Sequence, residues 1–153
     1  MKIKNPMTKE EFKKFCKKYI FEAYTDIKSN DKHAYFSNLT NWPEKGYIYL
    51  WSEEDGDSVT VVYVGKAGKT MKDRCIQHLG GFKGGSKKGE YLSDKIVAGC
   101  KKGKCYRICA RLSDKKTIVD EEEISMCDVE EKAFIKKLDP SWNKMGRKAR
   151  NTA

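Results

Sequence analysis

This sequence lacks the apolar stretches that carry a chain into or across a membrane. None of its apolar runs approaches the ~20 residues that a helix needs to span a bilayer. The opening residues, MKIKNPMTKEEFKKF, are basic but have no apolar core of the kind found in a secretory signal. We therefore expect a soluble protein of the cytoplasm.

The six cysteines also lack the spacing of a metal site. Structural zinc sites show paired CxxC motifs, and no such pair occurs here, although Cys100, Cys105 and Cys109 are close in sequence. With no secretory signal, we expect reduced thiols rather than a disulfide framework. A structural zinc-binding protein is therefore the least favoured of the function classes considered.

Acidic residues are too few to balance the basic ones. The chain has 32 Lys and Arg against 22 Asp and Glu, a formal net charge of +10. Such an excess on a small protein favours a polyanionic partner, most commonly nucleic acid. The net charge does not identify an activity, however, because lysine-rich surfaces also bind polyanions loosely.

The pattern of apolar residues predicts one α+β domain without internal repeats. Thr8 and Glu11 form a capping box that opens a helix, and strands over 46–51 and 59–65 flank a turn at Asp55-Gly56. The remaining predicted elements are a helix from Thr70 to Gly80, a loop rich in lysine and glycine, a helix over 91–100, a strand over 104–112 and a helix from Ser125 to Leu138. We expect a small three-stranded, mainly antiparallel sheet flanked by helices, with an added N-terminal helix.

Two predicted strands carry tyrosines that share a face of the sheet. Alternation places Tyr47 and Tyr49 on one face of the first strand, and Tyr63 with Gly65 on one face of the second. Such tyrosines line a wet cleft in some proteins. Tyrosine is also a favoured strand residue that packs its ring, and strand composition alone favours this structural role.

The helix after Thr70 carries Arg74 and His78 four residues apart, so both lie on one side of it. Both border the apolar arc of that helix and are expected close to the sheet. The guanidinium group matches two phosphate oxygens, and a neutral imidazole accepts a proton or orients a water. A surface arginine beside a half-buried histidine is an equally good interpretation of the spacing.

The last predicted helix carries the adjacent Glu130 and Glu131. A carboxylate at the edge of a core is a plausible ligand for Mg²⁺, which takes one or two protein carboxylates and keeps several waters. An ordinary surface glutamate is the more common case. Helical periodicity does not choose between the two residues or between the two roles.

Taken together, these segments resemble the GIY-YIG nuclease family over residues 46–143. The two signature pieces are GYIY at 46–49 and YVG at 63–65, followed by YVGKAGKTMKDRCIQH at 63–78 and EKAFIKKLDPSWN at 131–143. The first signature departs from the family pattern, so Tyr49 takes the tyrosine role while Tyr47 stays hard to separate from it. The resemblance implies a nuclease domain over 46–143, an N-terminal helical extension over 1–45 on the same domain and a basic tail over 144–153.

The resemblance also implies roles for individual residues. Glu131, rather than Glu130, is expected to hold Mg²⁺ or Mn²⁺, while Tyr49 or Tyr63 deprotonates or orients the attacking water. The other implied catalytic residues are Lys66, which lowers the pKa of a tyrosine, Arg74, which neutralises the phosphate, and His78. Supporting roles fall to Gly65 and Asn143, and we expect DNA contacts from Lys83, Lys87 and Lys88.

We therefore expect a Mg²⁺-dependent DNA endonuclease, of the site-specific restriction type because no appended DNA-reading domain is evident. The expected substrate is double-stranded DNA, and a homodimer would place one site on each strand. Two alternatives remain open: a catalytically inactive nucleic-acid-binding protein, and a homing, repair-type or low-specificity nicking nuclease.

Overall fold

A computed structural model describes residues 2–144 of the chain. The basic tail expected over 144–153 therefore lies outside the described residues, except for Lys144. The elements are β1 (Met7–Thr8), α1 (Lys9–Tyr19), β2 (Glu22–Ser29), β3 (Ala34–Phe36), β4 (Tyr47–Asp55), β5 (Ser58–Ala67), α2 (Met71–Gly80), a π-helical segment (Gly81–Gly85), α3 (Lys87–Lys101), β6 (Cys105–Leu112), β7 (Lys115–Thr117), β8 (Glu123–Ser125), α4 (Cys127–Leu138) and a 3₁₀ turn (Ser141–Lys144).

Strands β1 to β6 form one antiparallel sheet in the order β1-β5-β4-β6-β2-β3, and β7 pairs with β8 in a separate hairpin. The predicted β4–β5 hairpin, with its turn at Asp55-Gly56, is part of the main sheet, in which β4 also pairs with β6. The α+β class and the antiparallel arrangement are thus confirmed. The predicted number of strands is wrong, because the main sheet has six strands rather than three.

The additional strands come from the N-terminal 45 residues. We expected only a helix there, but β2 pairs along β6, and β3 pairs with β2. The capping box of Thr8 and Glu11 does open α1, as predicted. The division of the chain into a helical extension and a nuclease domain stays a prediction, but the extension contributes three strands to the common sheet.

Helices cover both faces of the main sheet. On one face, α2 and α3 pack on a core that includes Tyr49, Trp51 and Ile96. On the other face, α1 and α4 pack on a second core that includes Leu50, Val64 and Phe134. The alternation of β4 therefore sends its tyrosines towards α2 and α3 and its aliphatic side chains towards α1 and α4.

The chain near its N-terminus is attached to both β5 and the end of α4. The Asn5 side-chain amide donates to the carbonyls of Val61 and Leu138 at 2.9 and 3.1 Å, and its side-chain oxygen accepts from the Val61 amide at 2.9 Å. The backbone amide of Ile3 donates to the Lys137 carbonyl at 2.8 Å. These bonds tie the end of α4 to β5.

Two further local predictions need correction. The segment predicted as a lysine- and glycine-rich loop forms the π-helical segment, and α3 begins at Lys87 rather than at residue 91. The last helix begins at Cys127 rather than at Ser125, and its N-cap residue is Met126, although the Ser125 hydroxyl accepts a hydrogen bond from the Cys127 amide at 3.4 Å. Over residues 2–144, no helix combines the length and the apolar character needed to cross a membrane.

Candidate active site

Tyr49 lies at the centre of the sheet, opposite Gly65 on the neighbouring strand. Its side chain is only 1% exposed and points towards α2. A Cβ atom added at position 65 would overlap the Tyr49 phenol. Gly65 therefore leaves the space that this ring occupies, and strand pairing explains why the two residues occur together.

The Tyr49 hydroxyl group joins two side chains of α2. It lies 2.5 Å from Nε2 of His78, and it accepts a hydrogen bond from Nε of Arg74 at 3.2 Å. The four-residue spacing on α2 brings Arg74 and His78 to the same oxygen, as their shared side of the helix predicts. Another nitrogen of the same guanidinium group, Nη1 of Arg74, donates a hydrogen bond to the side-chain oxygen of Gln77 at 2.9 Å.

Burial fixes the protonation states in this cluster. Burial raises the pKa of the Tyr49 phenol well above its usual value, with a further contribution from Tyr63. Burial and the charges of Arg74 and Lys88 lower the pKa of His78 to about 3. At neutral pH a protonated phenol therefore donates to a neutral imidazole, whose own proton is on Nδ1.

An open cleft of about 130 Å³ lies beside this cluster. Tyr63 and His78 form part of its wall, and their ring centroids are 6.0 Å apart in an edge-to-face arrangement. The complete lining consists of Tyr63, Arg74, Gln77, His78, Gly81, Ser86, Lys88, Gly89 and Leu92. The cleft is therefore bordered by two cations, a phenol and an imidazole, which suits an anionic group.

The two glutamates of α4 have different surroundings. Glu130 forms an ion pair with Arg111 at 3.3 Å and accepts from the Asp114 backbone amide at 3.0 Å. Within residues 2–144, the Glu131 carboxylate has neither a hydrogen bond nor an ion pair. Burial raises the pKa of Glu131, while the charges of Lys66 and Arg74 act in the opposite direction. Glu130 thus has a structural role, and Glu131 is left available for a ligand.

The predicted lysines do not all reach the phenols. Lys66 follows Val64 on the α4 side of β5, away from Tyr63, and forms an ion pair with Asp128. Its charge acts on Glu131 but is not among the charges that shift the pKa of Tyr49. Lys88 lines the cleft. Lys83 and Lys87 are exposed nearby, on the π-helical segment and at the start of α3.

Asn143 connects the 3₁₀ turn to β5. Its side-chain oxygen accepts from the Val64 amide, and its side-chain nitrogen donates to the Val64 carbonyl, both at 2.8 Å. The side chain therefore bonds to β5 as a neighbouring strand would, one residue from Gly65. This position supports the site without contributing a reacting group.

Sequence reasoning missed two residues that hold charged groups of the site. Gln77 orients Arg74, and its three-residue spacing on the same helix was a signal for that contact. Asp128 binds Lys66 and lies three residues before Glu131, so the two carboxylates share one side of α4. No three residues among His, Cys, Asp and Glu cluster as a metal-binding group within the described part of the chain.

Comparison with known proteins gives a fold likeness only. No family model matches the sequence, and no curated protein matches it either. The structure is similar to that of a mutant of bacteriophage T4 EndoII, with a TM-score of 0.64 and 23% identity over 85% of this chain and 96% of that chain. It is also similar to the restriction endonuclease HPY188I in complex with product DNA, with a TM-score of 0.50 and 14% identity over 87% of this chain and 82% of that chain.

Proposed function

We propose that this chain is a DNA endonuclease of the GIY-YIG type that hydrolyses phosphodiester bonds with the help of Mg²⁺ or Mn²⁺. The observation that carries the proposal is the hydrogen-bonded cluster of Tyr49, Arg74 and His78 beside an open cleft. Two solved structures with a similar fold bear the names of endonucleases, and one of them contains product DNA. The net charge of +10 suits the same substrate.

Glu131 fits the single protein carboxylate that a hydrated Mg²⁺ requires. It is half-buried, and it has no partner within residues 2–144. The carboxylate oxygens of Glu131 are ligands of the type that Mg²⁺ and Mn²⁺ prefer. When bound there, the ion would polarise the scissile phosphate and stabilise charge on the leaving oxygen.

The other side chains of the site have separate roles in the reaction. In the hydrolysis a water oxygen bonds to phosphorus while the bond from phosphorus to the leaving sugar oxygen breaks. Arg74 neutralises the charge that gathers on the phosphate oxygens. Tyr63, in the wall of the cleft, orients the attacking water. Tyr49 is a positioning residue, because its protonated phenol holds Arg74 and His78 in place and is too buried to meet the water.

The second candidate function is nucleic-acid binding without cleavage. The basic surface favours it, and the exposed Lys83 and Lys87 near the cleft would serve either function. It gives no reason, however, for a half-buried carboxylate at Glu131 that has no partner among residues 2–144. We therefore rank it second.

The test is incubation of the purified protein with plasmid and phage DNA in Mg²⁺ or in EDTA. We expect cleavage that requires the metal and is abolished in Glu131→Gln, while DNA binding measured in EDTA is retained. Glu130→Gln is the matched control, and its folded protein should still cut DNA because Glu130 contacts Arg111 rather than the cleft.

The cleavage pattern also decides the subtype. We propose a site-specific, restriction-type enzyme that acts as a homodimer on double-stranded DNA, and discrete bands with paired cuts are the expected result. Nicked circles or a smear would instead indicate a low-specificity nicking enzyme. Binding without cleavage under every metal condition would favour the second candidate.

A further inference from the structure

Lys88, in the first turn of α3, lines the cleft. Its Nζ atom lies 5.3 Å from the centroid of the Tyr63 ring, a distance typical of a cation–π contact. It lines the cleft together with Arg74 and His78, which come from α2. The two cations thus border the cleft from different helices.

Lys88 also acts on the imidazole of the site. Its charge contributes to the low pKa of His78, which lies on α2. With its contact to the Tyr63 ring, Lys88 therefore acts on groups of β5 and α2, which are two separate elements.

The backbone around Lys88 is fixed by close packing. A Cβ atom at Gly89 would overlap the backbone of Gly81, so the first turn of α3 lies directly against the segment that continues α2. Ser86 caps the same turn by accepting a hydrogen bond from the Gly89 amide at 3.0 Å. The Cα of Lys88 is therefore held between two anchored residues.

Lys66, the lysine that the family resemblance implied, is directed elsewhere. It lies on the α4 side of β5, in an ion pair with Asp128. Of these two lysines, Lys88 is the one that lines the cleft with Tyr63 and Arg74.

We propose that Lys88 is a catalytic residue whose ammonium group contacts, together with Arg74, the phosphate that is cleaved. The inference rests on the proposed function. Two cations from different helices at one phosphate neutralise charge that grows in the transition state, and donors placed in that way act on the cleavage step more than on substrate binding.

The first experiment is single-turnover cleavage of a short duplex by Lys88→Ala, Lys88→Arg and Lys95→Ala. Lys95 is the matched control, because it also lies on α3 over a tyrosine ring, 5.6 Å from the Tyr91 centroid, and does not line the cleft. We expect the cleavage rate to fall by about 10²–10³-fold in Lys88→Ala, with partial recovery in Lys88→Arg, while binding weakens far less. Lys95→Ala should cut at nearly the wild-type rate.

A second experiment does not depend on activity. The chain has two histidines, so the ring signals of His78 and His33 can be followed separately by NMR during titration with inorganic phosphate. We expect phosphate, and not chloride at equal ionic strength, to shift the His78 signals in the wild type and in Lys95→Ala. This response should disappear in Lys88→Ala.

The outcomes separate this inference from the proposed function. Equal cleavage rates in Lys88→Ala and Lys95→Ala, with an active wild type, would overturn the role of Lys88 and leave the nuclease proposal standing. Loss of binding in proportion to loss of cleavage would also overturn it, since Lys88 would then serve only DNA affinity. A wild type that cleaves nothing removes the proposed function, and the inference falls with it.

Discussion

The oxygen of Tyr49 both donates and accepts a hydrogen bond, so a single buried atom sets the positions of two side chains on α2. Tyr47, which the family resemblance left as an alternative, is directed to Trp42 instead, with ring centroids 5.7 Å apart. The contacts therefore favour Tyr49 as the tyrosine of the site. Because it supports Arg74 rather than meeting the water, its loss affects cleavage indirectly.

Tyr49→Phe is expected to reduce cleavage by about 10–100-fold while leaving the ring packed in place. Arg74 would lose one of its two side-chain partners, and Nε2 of His78 would lose its donor inside the protein. That loss costs about 1–3 kcal/mol of unfolding free energy, which urea denaturation measures. Tyr47→Phe is the control, and equal effects of the two substitutions would contradict the assignment of Tyr49.

At the scale of elements, the hairpin of β4 and β5 was predictable because both signals for it are local. The turn at Asp55-Gly56 and the alternation of aromatic and aliphatic residues specify the pairing and its two faces. Strand β2 was missed because part of its support is not local, and the short β3 pairs with β2 alone among the described strands. β2 contains charged residues and pairs with β6, where Asp26 is opposite Arg107, some 80 positions later in the chain.

The candidate site shows the same difference between features with local sequence signals and features without them. Helical spacing placed Arg74 and His78 together, and strand alternation placed Tyr63 near them. The distinction between Glu130 and Glu131 depends on Arg111 and Asp114, which lie on another part of the chain. The packing of Gly89 on Gly81 sets the first turn of α3, with Lys88, against the segment that continues α2, and helical periodicity does not indicate that contact.

The 3₁₀ turn provides a test at this scale. Asn143→Ala removes both side-chain hydrogen bonds to Val64 and loosens the turn that carries the buried Trp142. We expect a loss of about 1–3 kcal/mol in the free energy of unfolding, together with weaker protection of the Val64 amide in hydrogen exchange. Asn38→Ala is the control substitution, in a loop distant in sequence from Asn143. Unchanged protection of the Val64 amide in Asn143→Ala would contradict the role of the two hydrogen bonds.

At the scale of the whole molecule, we expect the stability of the folded state to fall at low pH. The net charge is already +10, and protonation of carboxylates increases the self-repulsion of the folded state. His78 adds a specific contribution, because its pKa is lowered to about 3 in the folded protein from an ordinary value of 6.5. Between those values the unfolded chain binds a proton that the folded protein does not, so stability falls as the pH falls through this range.

We therefore expect His78 to reduce the free energy of unfolding by roughly 2 kcal/mol between neutral pH and about pH 5. The measurement is urea denaturation at a series of pH values for the wild type and for His78→Gln, which cannot take up this proton. The advantage of the wild type over the variant should shrink as the solution is acidified. A constant difference between the two curves would show that His78 does not titrate on unfolding.

The hydrogen bonds from Asn5 to Val61 and Leu138 join parts of the chain that are synthesised at different times. A ribosome releases Asn5 and Val61 before Leu138, so the bonds from Asn5 to β5 can form before α4 has emerged, whereas the bond to Leu138 cannot. Helix α4, which carries Glu131, therefore reaches this contact later than the strands that precede it. A growing chain from which α4 has not yet emerged would lack Glu131, and the proposed site would be incomplete.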